Sequence, residues 1–208
     1  MPKVRADYEE KRQAIMDAAA VLFAQHGYAN VKMMDIAKAC GGSKSNLYHY
    51  FTRKEDVLFE IMKEQIQSYL ESTEAVLALP SPPEDRLHAF VTMWMTKASQ
   101  ARARLTVLMY EYKFLTRRQR EVVDRVARTL IDRVVELLGQ VNPALKQAGP
   151  ARHRAHTLLL FGLLNWTEVW FRSTGPLSAE EMADLIFNQF LNGLASVDAA
   201  GKARRARA

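Results

Sequence analysis

The chain has 208 residues, of which 49% are hydrophobic and 25% charged, with a net charge of +6 at pH 7. That is enough chain for one large or two small domains with a sizeable core, and the excess of basic residues points to a polyanionic partner. The single cysteine, Cys40, excludes a disulfide framework within the chain, and neither a signal peptide nor a run of about 18 apolar residues is found, so a cytoplasmic protein with no membrane partner is expected.

Residues 1–7 are expected to form a basic arm. From Asp7 to His26 an apolar stripe of Ile15, Ala18, Ala19, Leu22 and Phe23 predicts an amphipathic brace helix, ended by Gly27. Met33, Ile36, Ala37 and Cys40 then recur on one helical face, and Gly41-Gly42 stops that helix. Ser43 can cap the next helix, from Lys44 to Tyr50, in which Leu47 and Phe51 point inward while Lys44, Ser45, Tyr48 and His49 lie on other faces. Two short helices about a glycine turn are the helix-turn-helix pattern, whose second helix enters the DNA major groove. The basic charge is local to it: Lys38, Lys44, Arg53 and Lys54 have no acid between them.

A long helix is expected over 54–79, placed to link the reader to the rest of the chain. Prolines at 80, 82 and 83 break it, and helices follow over 83–101 and 102–114. Thr116-x-x-Gln119 and Ser178-x-x-Glu181 are capping boxes opening helices to Gly139 and Leu194. The inner face of the first of these is expected to hold Val122, Val126, Ile131, Val134, Val135 and Leu138, and residues 142–150 are expected to be a loop. Between them, 151–173 is apolar nearly all round, which requires burial on both sides, in its own core and against a partner. No segment has the period of a strand, so the expected fold is all-α, with about nine helices. The residues 198–208 are expected to be a basic disordered tail.

Asp35-Ile36-Ala37, Gly41, Ser43, Leu47-Tyr48, Tyr50-Phe51 and Lys54-Glu55 resemble the signature of the TetR family of bacterial transcription regulators, over about the first 60 residues. One departure is Gly42, where the family commonly has valine, a change that removes a side chain from the turn. The resemblance implies a three-helix DNA-binding domain over 1–54 and a helical ligand-binding and dimerisation domain over 55–197. It implies a homodimer on an inverted-repeat operator, with one recognition helix per subunit in successive major grooves.

Carried onto this chain, the resemblance makes Met33, Ser43, Lys44, Ser45, Asn46, Tyr48, His49, Tyr50 and Lys54 the DNA-contacting set. Lys44 and Ser45 reach base edges, Tyr48 and Tyr50 donate to phosphates, and Lys54 meets phosphate at the start of the long helix. Tyr50 has a second reading as a half-buried ring against the brace helix, and Asn46 an equal one as a residue that only hydrogen-bonds within the turn. His156, Leu159, Leu163, Phe187 and Leu191 are expected at the dimer interface. The segment 165–194 resembles TetR regulators of fatty-acid and sterol catabolism, which respond to acyl-CoA thioesters. This implies a small hydrophobic effector, with acyl-CoA as the class, held by Met93, Trp94, Met109, Tyr110, Tyr112, Phe161, Asn165, Trp166 and Trp170. Arg102, Arg104, Arg117, Arg118 and Arg120 supply a cationic mouth or form a solvated face.

Two other classes compete. An enzyme lacks support, because no phosphate loop, nucleophile elbow or zincin motif is present. His153-x-x-His156 has half the spacing of a metal site but no carboxylate or cysteine partner pattern, so surface histidines, no metal and no cofactor are expected. The alternative binding class is a helical lipid- or protein-binding module without specific DNA recognition.

Overall fold

The computed structural model describes the backbone of residues 2–205 and the side chains of 6–43 and 45–193. The side chains of Lys44 and of the expected basic tail lie outside the described residues. Ten α-helices and two short 3-10 turns make up the described fold, and no strand occurs among the described residues. The helices are α1 (Pro2–His26), α2 (Met33–Ala39), α3 (Lys44–Tyr50), α4 (Lys54–Leu77), α5 (Pro83–Gln100), α6 (Arg102–Tyr110), α7 (Arg117–Val141), α8 (Ala144–Gln147), α9 (Pro150–Trp170) and α10 (Ala179–Arg205).

The tenth helix relative to expectation is α8, a single turn inside the predicted loop. Asn142 Oδ1 accepts from the Ala144 N–H at 2.9 Å and so starts that turn. At the N-terminus the expected arm is helix, since α1 begins at Pro2. At the other end, the backbone of α10 is helical to Arg205, which includes part of the segment expected to be disordered. Two predicted capping boxes are formed. Thr116 and Gln119 exchange bonds of 2.9 and 3.3 Å, and Ser178 and Glu181 exchange bonds of 2.7 and 3.1 Å.

The chain divides into two compact units. The first holds Met1–Ser68 and Ala101–Val126, so the reader's unit takes in more than residues 1–54. Its core is built from Met16, Phe23, Ile36, Leu58, Ile61, Met62 and Leu105, all fully buried. Burying each such side chain stabilises by about 1.5–3 kcal/mol. α1 packs on α2 and on α6. A partly buried ionic network ties these helices to α4. Arg12 donates to Glu60 and Glu64, each at 2.6 Å, and Arg104 donates to Asp17 at 2.8 Å.

Lys54, expected at DNA phosphate, is committed inward. Its ammonium donates to the carbonyls of Tyr28 and Val31, each at 2.7 Å, and lies 4.0 Å from the centre of the Tyr28 ring. Those carbonyls belong to the turn between α1 and α2, so the first residue of α4 fixes the entry to the helix-turn-helix. Burial holds the Lys54 ammonium below the usual lysine range, against the pull of Glu55 and Glu111. The other side of the same turn is held from far along the chain. Glu111 Oε1 accepts from the Tyr28 N–H at 3.3 Å, and the Phe114 ring lies 4.8 Å from that of Tyr28.

The second unit holds Tyr69–Gln100 and Ala127–Ala208. In it α5 packs on α9 and α10, and α8 packs on the same two helices. α7 does not stop at Gly139, which is buried within it. A Cβ there would lie 2.6 Å from Lys146 Cε and 2.8 Å from His153 Cε1. The missing side chain makes room for His153, which is buried rather than on the surface as expected, with Nε2 lacking a hydrogen-bond partner. Burial holds its pKa below the ordinary imidazole value; Lys146 and His156 add to this, and a bond to the Val135 backbone opposes it.

Three outcomes follow. Lys54→Met removes the donor to two turn carbonyls and is expected to cost about 1–3 kcal/mol of folding stability, read from urea unfolding; a midpoint equal to wild type contradicts that role. For His153 the unfolded chain takes up the proton first on acidification. Its contribution is therefore complete above about pH 6.5 and declines as pH falls through that value. Stability measured from pH 7.5 to 5 is expected to fall more steeply in the wild type than in His153→Leu, and parallel curves contradict the buried neutral imidazole. Gly139→Ala is expected to cost about 1–3 kcal/mol in the same unfolding assay, because the buried imidazole must shift.

Candidate nucleic-acid interface and helical binding surfaces

The turn between α2 and α3 is closed by backbone bonds. The Gly41 N–H donates to the Lys38 carbonyl at 3.1 Å and the Gly42 N–H to the Ala37 carbonyl at 3.0 Å. Gly41 has φ +63°, a left-handed conformation in which any side chain is strained. Gly42 does not need its bareness: a Cβ there would meet only ordinary contacts, at 3.5 Å or more. The Ser43 hydroxyl caps α3 by accepting from the Asn46 N–H at 3.1 Å, which gives Ser43 a structural task.

Leu47 and Phe51 are buried as predicted, and this fixes which face α3 presents. Ser45, Asn46, Tyr48 and His49 are exposed on it. Met33 is half-buried at the start of α2 and lines a shallow surface cleft with Ala29, Val31, Lys32, Met34, Tyr48 and Lys54. Three members of the expected DNA set, Met33, Tyr48 and Lys54, thus come together. Lys32 and Met34, outside that set, join them. Lys32 does not cap by its side chain; its backbone N–H donates to Asp35 Oδ2 at 2.8 Å instead. Tyr50 is half-buried, with its ring 4.7 Å from that of Tyr8 on α1, so packing against the brace is part of its role. Tyr8 was not in the expected set. Its spacing of seven residues from Ile15 places it on the brace helix's inner stripe, a signal the sequence did carry. Cys40 is half-buried, and burial pushes its thiol up, away from the reactive thiolate.

In the second unit α9 is divided lengthwise. Thr157, Leu160, Phe161, Leu164 and Thr167 are buried. The opposite side exposes Leu159 at 62%, Leu163 at 45%, Trp166 at 63% and Trp170 at 54%. A groove of about 710 Å³ runs along this side, lined from α9 by His156, Leu159, Leu163, Trp166 and Trp170, and from α10 by Met182, Ile186, Gln189, Phe190 and Gly193. Trp166 and Trp170 therefore share a face with the expected dimer residues and are not part of an internal pocket. Phe187 points elsewhere, its ring 4.9 Å from His88 on α5, and Leu191 does not line the groove. The cause is register: Ile186 and Phe190 take the groove-facing positions one residue before each.

Of the expected ligand set, Trp94 and Phe161 meet. Trp94 is 4% exposed and stacks on Tyr69 at 4.2 Å, with Phe161 at 5.1 Å and Phe90 at 5.8 Å. The Trp94 Nε1 and the Asn165 Oδ1, each buried, have no hydrogen-bond partner. Met93 is half-buried. Met109, Tyr110 and Tyr112 belong to the first unit, where Tyr110 is exposed and the Tyr112 hydroxyl donates to Asp124 at 2.6 Å. Of the arginines offered as a cationic mouth, Arg104 is spent on Asp17 and Arg117 on Glu121 at 3.0 Å.

Residues 80–194 match the family described as "Tetracyclin repressor-like, C-terminal domain", and residues 15–61 match "Bacterial regulatory proteins, tetR family". The HTH-type transcriptional regulator HbdR of Aromatoleum sp. (strain CIB) is 29% identical over 163 residues, which are 78% of this chain and 69% of HbdR. A TetR-family transcriptional regulator from Bordetella parapertussis 12822 superposes with a TM-score of 0.82 and 33% identity, over 86% of this chain and 93% of that one. AibR, solved in complex with isovaleryl coenzyme A and operator DNA, superposes with a TM-score of 0.74 and 26% identity, over 86% of this chain and 97% of that one. No helix among the described residues is long and apolar enough to cross a membrane. A capped recognition helix on a buried brace, matched across both of its parts, places this chain in the TetR family of helix-turn-helix transcription regulators.

Proposed function

We propose that the protein is a homodimeric repressor that binds an inverted-repeat operator through α3 and leaves it when a small acyl thioester binds the second unit. The exposed apolar side of α9 is the observation that carries the dimer. Leu159, Leu163, Trp166 and Trp170 in water forfeit about 25 cal/mol for each Å² that a partner would cover. A two-fold pairing of this side with itself covers the same residues twice, which suits closed symmetry. Two heads fixed by such a pairing then address two half-sites about one helical turn apart, or a small multiple of it.

The effector reading rests on the aromatic layer around Trp94. An N–H buried without an acceptor costs about 1–3 kcal/mol, and a ligand carbonyl removes that cost. The Asn165 oxygen is a second buried polar atom of this unit without a hydrogen-bond partner. AibR's complex with isovaleryl coenzyme A makes a short acyl thioester the first class to test. A ligand acts on DNA only through its preference for one of two conformations, with coupling of about 1–3 kcal/mol typical.

The test is fluorescence anisotropy on a duplex selected from random DNA with the full-length protein. Binding should fall steeply with salt, and Lys44→Ala and Tyr48→Ala should weaken it, the salt slope dropping by about one for each phosphate that is no longer neutralised. Salt-insensitive binding, or none, favours the helical lipid- or protein-binding module. Trp166→Arg with Leu163→Glu should shift sedimentation from dimer to monomer; a dimer that persists places the interface elsewhere. Acyl-CoAs of graded length should release the duplex, and Trp94→Phe should weaken that release about fivefold through loss of one hydrogen bond. Release unchanged in Trp94→Phe removes the indole N–H from the effector site.

A further inference from the structure

Three aromatic rings meet where the first turns of α1 pass the end of α3. The Tyr8 ring lies 4.7 Å from that of Tyr50, tilted by 32°. It meets His49 edge-on, at 6.0 Å and 82°. His49 and Tyr50 are themselves edge-on at 5.4 Å and 85°. His49 is exposed, while Tyr8 and Tyr50 are half-buried.

His49 and Tyr50 end a helix of only seven residues, and Phe51 already has extended backbone at φ −138° and ψ 120°. Side chains in the last turn of so short a helix have few neighbours on their own element to restrict them. An imidazole there samples staggered wells about χ1, and only some of them direct its N–H outward along the reading face. A flat ring against both His49 and Tyr50 removes the wells that would swing either ring across it. The ring itself does this; the Tyr8 hydroxyl is not required.

We propose that Tyr8 is a positioning residue for DNA reading, holding His49 in the orientation in which its imidazole N–H reaches a base edge. This rests on the reading of α3 as the recognition helix. The base edge is an acceptor in the major groove, such as a purine N7 or guanine O6. Base preference at that step then depends on a residue of α1, outside the helix-turn-helix pair. It also gives a use to the early start of α1 at Pro2, well before its first fully packed core position at Ile15.

The experiment uses the full-length protein, the duplex selected by the wild type, and that duplex with each base pair of a half-site replaced in turn. His49→Ala identifies the pair that His49 reads. Tyr8→Leu, which keeps apolar bulk but no flat ring, is expected to lose discrimination at that same pair by roughly two- to tenfold, the range of an aromatic contact. Tyr8→Phe is expected to keep it. The double variant Tyr8→Leu, His49→Ala is expected to lose no more than His49→Ala alone. Discrimination is read as the ratio of affinities for the selected and the replaced duplexes, so a phosphate contact weakened through Tyr50, which the Tyr8 ring also meets, cancels from it. A uniform loss across all duplexes in Tyr8→Leu, or wild-type discrimination retained, overturns the proposal, as does a His49→Ala variant that discriminates as the wild type does. A wild-type protein with no preferred sequence overturns the regulator reading itself.

Discussion

The reading head depends on one ammonium group. Lys54 brings a cation under the Tyr28 ring, and desolvating it is costly unless its donors are used. The carbonyls of Tyr28 and Val31 use two of them, and the face of the ring adds a cation–π contact. Both carbonyls belong to the turn between α1 and α2, where the Tyr28 carbonyl also accepts from the Val31 N–H at 3.4 Å. One interaction thus satisfies a cation and a turn at once. It sets the start of α4 against the start of the helix-turn-helix. Glu111 and Phe114 approach the same turn from the connection between α6 and α7. Hence residues 101–126 share a compact unit with the reader, although they lie far from it in sequence.

α9 shows how a helix can be apolar on two sides for two reasons. One side carries Leu160, Phe161 and Leu164 and faces its own unit. The opposite side carries Leu159, Leu163, Trp166 and Trp170, which α10 covers only in part. Tryptophan and leucine at such density on one exposed stripe are unlike an ordinary solvated helix face, where single apolar residues are scattered. Gly162 and Gly193 border the groove, and neither has a neighbour that a Cβ would meet.

The two-helix reader was legible because its signals are local. A glycine stop, a serine cap and two inward apolar residues fix α2 and α3 without reference to the rest of the chain. The all-helical class was legible for the same reason, through caps such as Thr116 with Gln119. What depended on neighbours was not. α7 carries adjacent apolar pairs, so periodicity allowed two faces; packing chose Val123, Leu130, Val134 and Leu137 rather than Val122, Val126, Ile131 and Val135. His153 read as a surface residue between two arginines, because nothing local reveals that Gly139 leaves space for it. Lys54 matched a phosphate position in sequence, while its partners, two carbonyls some 25 residues earlier, have no sequence signature. Residue type alone assigns the aromatic residues of α9 to a pocket and its leucines to an interface, and only exposure shows that Trp166 and Trp170 share a face with Leu159 and Leu163.

The division of the chain also constrains how any signal must travel. The chain passes between the two units at residues 68–69, 100–101 and 126–127. Two of these passages lie inside continuous helices, α4 and α7. The third lies at the break between α5 and α6, where Ala101 has φ −116° and ψ 38°, outside the helical region. A backbone break bends more readily than a hydrogen-bonded helix. Beyond that break, α6 is anchored within the first unit by Arg104 on Asp17, and the turn that follows it by Glu111 on Tyr28. A change in α5 would thus reach the helix-turn-helix through a joint followed by two fixed points. Of the aromatic layer, Trp94 and Phe90 lie on α5 itself, on the segment that leads into the joint.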